Sequence, residues 1–306
     1  MSGVFAAFAA LVSVVLLGYA VGRLGVLRLP DELVLSRLAF YVTLPALLFS
    51  TVATADLRSI FSPVLLTSLA GLAAAQLVYV PVARLRWKRD RRETTVGAIA
   101  SSYVNAGILG IAVGVYVLGD GALVVPIVLF QLLVLAPITF LLLEPPSAGR
   151  SVRQALLRPL RNPLTVASLL GLVFAASGIE IPEPIMRPFD LVGAAAVPVV
   201  LIAYGLSLSG PGLADMARQG GKDVLLAVAL KSTVMPAVAY LTAAHILHLT
   251  GTMLLAATLF AALPTAQNVY VYARQFNAAP HLARGAVLLS TSLAVPLMAV
   301  ITALLA

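Results

Sequence analysis

Leu263-Pro264-Thr265-Ala266-Gln267-Asn268 interrupts an apolar segment that runs from about 251 to 272. A proline, a threonine and two side-chain amides at bilayer depth are costly unless protein or trapped water surrounds them. A matching stretch, Ser101-Ser102-Tyr103-Val104-Asn105-Ala106-Gly107, lies in the first half, inside an apolar segment from about 96 to 118. Two interrupted apolar segments at corresponding places of two halves are the sequence signature of a transporter's substrate site.

The surrounding composition leaves few other classes open. Of the 306 residues, 61% are hydrophobic and 10% charged, and the mean hydropathy is +1.03. Ordinary globular chains are about 25% charged, so the composition excludes a soluble enzyme and predicts a polytopic membrane protein. No cysteine is present, which excludes disulfides, thiolate chemistry and Cys-ligated metals. HExxH, GxSxG, glycine-rich phosphate loops and Ser-x-x-Lys pairs are all missing, and no two acids share a span centre. The sequence therefore predicts no enzyme and no cofactor. A channel would need rings of like side chains or carbonyls around an axis, which paired breaks do not suggest.

Spans of about 20 apolar residues fit at 4–22, 34–53, 61–83, 95–118, 122–143, 163–179, 190–209, 223–246, 251–273 and 285–305. The first is read as a retained helix rather than a cleaved signal peptide, because Met1-Ser2-Gly3-Val4 has no basic leading region. With the N-terminus outside, the cytoplasmic loops collect Arg23, Arg28 and Arg37, then Arg84, Arg86, Lys88, Arg89, Arg91 and Arg92. Arg150, Arg153, Arg158, Arg161, Arg218, Lys222, Arg274 and Arg284 bring that side to seventeen cationic residues, against Arg58 and Arg187 outside. This is a strong positive-inside pattern. It accounts for the formal charge of +8 through anchoring at an anionic leaflet rather than through nucleic acid, and it places both termini outside.

An internal repeat accompanies the spans. Leu16-Leu17-Gly18 and Leu169-Leu170-Gly171 stand 153 positions apart, as do Gly25 and Gly178, and Pro45 and Pro198. The offset then grows to 155 between Pro81 and Pro236 and to 163 between Asn105 and Asn268, as small loop insertions would make it. Five spans per copy is an odd number, so the second copy enters the membrane from the opposite side. The expected fold is an all-α membrane protein of ten transmembrane helices. Residues 1–148 form a first five-helix repeat and 149–306 a second, inverted one, with broken helices 4 and 9 meeting near the midplane.

Several residues are candidates for the site, each with a blander reading beside it. Asn105, Gly107 and Gly110 suit an unwound helix, since glycine permits unusual backbone and asparagine satisfies freed amides. They also suit simple helix–helix contact. Pro264 removes a backbone donor and frees carbonyls next to Thr265, Gln267 and Asn268; alone it would be an ordinary kink. Lys231 is the basic residue deep within a span, either a charge beside the substrate or an anchor whose stem snorkels to the cytoplasmic face. Tyr103 and Tyr204 either flank an organic body or pack in the core. Every Asp and Glu falls in a loop or at a span end, and His245 and His248 lie near the outer end of span eight. A proton relay and a cationic substrate are therefore both poorly supported. Half-helix N-termini suit a carboxylate better.

Phe40-Tyr41-Val42-Thr43-Leu44-Pro45-Ala46-Leu47-Leu48-Phe49, Ala194 to Leu208 (AAAVPVVLIAYGLSL) and Ala262 to Val269 (ALPTAQNV) resemble the auxin efflux carrier family. Arg161-Asn162-Pro163 and the Asn-x-Gly at 105–107 are similar to it as well. The likeness covers essentially the whole chain and matches the short prokaryotic members, which lack the large cytoplasmic loop of plant PIN proteins. It implies a scaffold of helices 1, 2, 6 and 7, often dimeric, and a transport domain of helices 3–5 and 8–10 that moves like an elevator. It implies export of a small organic anion such as auxin, malate or malonate across a bacterial inner membrane. Matching positions carry Asn105 and Pro264 to Asn268 over as site residues. The proline that often follows the Asn-Gly block of this family is replaced by Gly107-Ile108-Leu109-Gly110-Ile111-Ala112, so that break is expected to rest on glycines. The related bile acid:sodium symporters bind Na⁺ through amides, hydroxyls and acids, and here the crossover acids are missing. The expectation is a carrier without obligatory Na⁺ coupling. The alternative is a Na⁺-coupled symporter with Thr265, Gln267 and Asn268 as ion ligands.

Overall fold

The computed structural model describes residues 2–54, 62–144, 163–209 and 213–305. Arg58, the loop carrying Arg150, Arg153, Arg158 and Arg161, Asn162, and the expected boundary at 148/149 lie outside the described residues.

Among the described residues the chain is helical. The segments are α1 (Ser2–Arg23), α2 (Asp31–Ala53), α3 (Pro63–Arg86), α4 (Arg91–Ala100), α5 (106–118) and α6 (Gly121–Leu143). The second half holds α7 (Pro163–Ser177), α8 (Glu183–Leu208), α9 (213–246), α10 (Gly251–Ala262), α11 (Asn268–Gln275) and α12 (Pro280–Leu305). Among the described residues six helices are long and apolar enough to cross a membrane: α2, α3, α6, α8, α12 and the Gly221–Ile246 part of α9. Their outer faces carry bare apolar side chains, with Leu77, Leu191 and Leu304 each about three-quarters exposed. Water would penalise such a surface; lipid tails accept it. The protein is a multi-pass membrane protein.

Local sequence explains where helices start and bend. Ser62 accepts a hydrogen bond from the Leu65 N–H and Pro63 follows it, the preferred start of a helix whose first donors lack partners. Asp90 caps α4 the same way through Glu93 N–H. Three helices widen into a π-helical turn just before a proline: Ala39–Thr43 before Pro45, Gln131–Leu135 before Pro137, and Leu230–Val234 before Pro236. A proline removes one N–H and its ring clashes with the carbonyl four residues back, and the wider turn moves that carbonyl aside.

The helices pack in two groups. Helix α1 lies on α8, and α2 is covered by α7 and α8. Helix α3 lies on α9 and α10, while α12 touches α4, α9, α10 and α11, and α6 lies on α4. Glycines mediate close approaches in the first group. A Cβ on Gly18 would strike the backbone of Ile202, and one on Gly171 would strike Val52 and the Phe49 carbonyl. Gly18 and Gly171 are 153 positions apart, and so are Phe49 and Ile202. The same contact thus occurs twice with the halves exchanged.

Candidate functional site

Each of the two apolar segments with polar centres is broken at its centre. Helix α4 ends at Ala100 and α5 begins at Ala106; α10 ends at Ala262 and α11 begins at Asn268. The linking strands run antiparallel past each other, paired at Val104 and Thr265. The Asn105 N–H donates to the Pro264 carbonyl at 2.9 Å, and the Ala266 N–H donates to the Tyr103 carbonyl at 3.0 Å. The side chains close the same contact, with Asn105 Nδ2 donating to Gln267 Oε1 at 2.9 Å.

A helix that stops inside a membrane leaves carbonyls without partners, and here most can be followed to a donor. In the first break the Ser101 and Ser102 hydroxyls both donate to the Ala98 carbonyl, at 2.8 and 2.7 Å. Thr265 Oγ1 donates to the Ala100 carbonyl at 2.7 Å, and Gln131 Nε2 on α6 donates to the Val104 carbonyl at 2.9 Å. In the second break Pro264 has no N–H to offer Phe260, whose carbonyl takes the Leu263 N–H at 3.4 Å instead. The Thr265 N–H turns to Ser290 Oγ on α12 at 3.0 Å. That leaves the Ala261 carbonyl, which accepts Lys231 Nζ from α9 at 2.7 Å.

Beside the crossing strands lies a cavity of about 170 Å³, between the two helix groups. Tyr103, Asn105, Gly107, Gln131, Gln267 and Asn268 give it its polar and backbone wall, and Leu44, Leu48, Val197 and Val200 face them from α2 and α8. Its described lining holds no charged side chain. At roughly 30 Å³ per water, the space suits a molecule of a few heavy atoms. Helices α5 and α11 both start at this wall, so both positive dipole ends and first-turn N–H groups meet there. Tyr272 completes the rim, edge-on to Tyr103 at 6.3 Å.

The structure thus brings Tyr103, Asn105, Gly107, Gln267 and Asn268 to one cavity wall. Pro264 and Thr265 form the crossing behind that wall, and Gly110 and Lys231 lie elsewhere. Neither sequence reading of Lys231 describes its placement. It is 1% exposed and turned onto a backbone carbonyl, not into the cavity and not out to an interface. The glycine reading is also revised. Gly110 has ordinary helical dihedrals, φ −63° and ψ −44°, and neither Gly107 nor Gly110 has positive φ. The first break lies ahead of both, at 101–105, where serine hydroxyls satisfy the carbonyls. Gly110 serves packing instead: a Cβ there would meet Val124 Cγ2 at 2.7 Å. Tyr204 donates its hydroxyl to the Arg284 carbonyl at 3.1 Å, a core contact. For a Na⁺ site, the Gln267 amide oxygen is engaged by Asn105 and the Thr265 hydroxyl faces Ala100. Among the described residues no group of His, Asp or Glu could hold a metal.

Sequence reasoning missed Gln131, Ser290, Gln76 and Tyr272. Gln76 and Gln131 carried a readable signal, since each is a long amide alone in an apolar span. Ser290 and Tyr272 carried none.

Comparison with known proteins places the chain among transporters. A family model described as "Membrane transport protein" matches residues 3–302. The chain is 26% identical over 295 residues to the "Putative malonate transporter" of Rhizobium meliloti, covering 92% of this chain and 89% of that protein. It is 27% identical over 282 residues to the "Uncharacterized transporter YfdV" of Escherichia coli K12, covering 87% and 86%. It is also 26% identical over 139 residues to "Auxin efflux carrier component 8" of Arabidopsis thaliana, covering 44% and 37%. With nearly its whole length matched, the chain belongs to the membrane transport protein family, the auxin efflux carrier family that its sequence resembles.

Proposed function

We propose that this protein is a secondary carrier that exports a small organic carboxylate across the bacterial inner membrane without obligatory Na⁺ coupling. The observation that carries the reading is the crossing of 101–105 with 263–267 beside an uncharged cavity where two helix N-termini meet. Such ends favour a carboxylate through their dipoles and N–H groups, and Asn105, Gln267 and Asn268 add orienting amides. The name of the Rhizobium relative makes malonate a first substrate to try.

In this reading α4–α5 and α10–α11 are the fourth and ninth of ten spans in two inverted five-helix repeats, with both termini outside. The exchanged glycine contacts at Gly18 and Gly171 support the repeat. Helices α1, α2, α7 and α8 are a scaffold, dimeric through its free face, and the remaining helices are a transport domain that slides along it. The grouping of the helices supports that division, and the cavity lies on the seam between the groups.

The test is uptake of labelled malonate, malate and indole-3-acetate by proteoliposomes holding the purified protein, with NaCl or choline chloride outside. Flux that ignores Na⁺ and follows an imposed voltage is expected. Flux that requires the Na⁺ gradient would move the protein to the symporter class. No flux of any carboxylate would remove the proposal.

A further inference from the structure

Lys231 is fully buried, on a π-helical turn of α9, and it takes no part in the cavity wall. Its ammonium caps the carbonyl of Ala261 at the C-terminal end of α10. That end is the negative pole of a half-helix stopped within the apolar interior. In secondary carriers, half-helix C-terminal ends and unwound carbonyls are where coupling cations are held. Here the chain supplies a cation of its own. The carbonyl is its hydrogen-bond partner, and Asp223, the carboxylate of its own helix, lies eight residues back and is held by Arg89.

The first half shows what occupies the equivalent place without a charge. Gln76 Nε2 on α3 donates to Ser102 Oγ at 3.1 Å, and Ser102 Oγ donates to the Ala98 carbonyl at 2.7 Å. Gln76 and Lys231 are 155 positions apart, the spacing of Pro81 and Pro236. Ala98 and Ala261 are 163 apart, the spacing of Asn105 and Asn268. The two halves therefore present the same carbonyl to the same helix position. One half answers with an amide and a hydroxyl, the other with an ammonium.

We propose that the end of α10 is a monovalent-cation position that the chain fills itself, with the Lys231 ammonium standing as a tethered substitute for a coupling ion. This deepens the organic-anion carrier reading and rests on it for its transport consequence, though not for the cation position itself. The tether explains how a carrier with a neutral crossing works without Na⁺.

The experiment compares wild type with Lys231→Ala and Lys231→Gln. Lys231→Ala vacates the position, and Lys231→Gln copies the first half, keeping a donor to Ala261 without the charge. Thermal melting of the detergent-purified proteins in NaCl, KCl or choline chloride is the first readout. Wild type should be indifferent to the cation, and Lys231→Ala should melt several degrees higher in NaCl or KCl than in choline chloride. Flux into proteoliposomes is the second, with an expected loss of at least tenfold for Lys231→Ala in choline chloride, recovered in part by Na⁺ or K⁺. Lys231→Gln should lose flux similarly without recovery, since its side chain fills the space. An alanine variant whose melting ignores all small cations would overturn the proposal, as would a glutamine variant with wild-type flux. If Lys231→Ala does not fold, the glutamine variant decides by itself. Cation-dependent melting of Lys231→Ala in a protein that moves no carboxylate would retain the cation position and sink the carrier reading alone.

Discussion

The breaks at 101–105 and 263–267 meet one physical demand, the capping of carbonyls within an apolar interior, with different chemistry. The first uses neutral donors close by: Ser101 and Ser102 on Ala98, Thr265 on Ala100, Gln131 on Val104. The second begins with a proline that deletes a donor, and its Thr265 N–H is diverted to Ser290, so a cation from another helix finishes the cap. Correspondence between the halves is thus one of positions, not of groups. The shared part is the crossing, where Asn105 and Gln267 join the two. The unshared part is the charge.

The largest expected effect comes from the shared part. Asn105→Ala and Gln267→Ala each leave a buried amide facing nothing, a loss of about 1–3 kcal/mol. Flux should fall by roughly a hundredfold if that contact holds the site in shape. The double variant should show a coupling of about 0.5–3 kcal/mol in melting free energy. Purely additive single-variant effects would mean that the breaks act independently and that the amide bridge is incidental.

Pro264→Ala tests the second break on its own. The new N–H can donate to the Phe260 carbonyl, and α10 is then free to run on through Leu263. A proline inside a helix costs about 3 kcal/mol, so melting should hold or rise, while flux drops by tenfold or more as the pairing of Val104 with Thr265 is pulled out of register. Unchanged flux would show that the crossing does not need its proline.

A smaller contrast separates the two glycines of the first segment. Gly110→Ala would press on Val124 Cγ2 at 2.7 Å and Leu263 Cδ1 at 3.2 Å, an overpacking of about 1–3 kcal/mol, and should lower the melting temperature by a few degrees. A Cβ at Gly107 meets nothing within 4 Å and lies on the cavity wall. Gly107→Ala should leave melting alone and weaken transport of the bulkier carboxylates. Equal melting losses in both would contradict the packing described.

These sites also show how far the chain could be read without coordinates. Both breaks were legible because serine, asparagine, glutamine and proline stand out in apolar runs, and that contrast survives any packing detail. The 153-residue spacing of glycines was legible in the same way, and it recurs in the exchanged contacts at Gly18 and Gly171. What could not be read were bonds to backbone. Lys231 was visible as a buried cation, yet its partner is a carbonyl that becomes free only because Thr265 N–H goes to Ser290, 25 residues further on. The role of the glycines was misjudged because absence of a side chain signals either unusual dihedrals or close packing, and spacing does not distinguish them.

The smallest expected effect lies at the half-exposed start of α4. Arg89, just before α4, holds Asp223 on α9 with Nη2 at 2.7 Å and Nε at 3.3 Å. It ties the start of the first broken segment to the helix that carries Lys231. Asp223 is buried, but the Arg89 side chain is 34% exposed, so water and salt screen the pair. The hydrogen bond to Asp223 pushes the Arg89 pKa further up, so the guanidinium stays charged throughout. Arg89→Ala should therefore cost about 1 kcal/mol or less and change flux by less than twofold. The difference from wild type should shrink in 1 M salt, where screening acts within about 3 Å. Lys231 shares the formal charge of Arg89 but not its exposure, and its effect should persist in the same salt when the added cation is too large to enter. If the two substitutions respond to salt alike, burial does not distinguish them, and the contrast between a screened surface pair and a sealed internal cation fails.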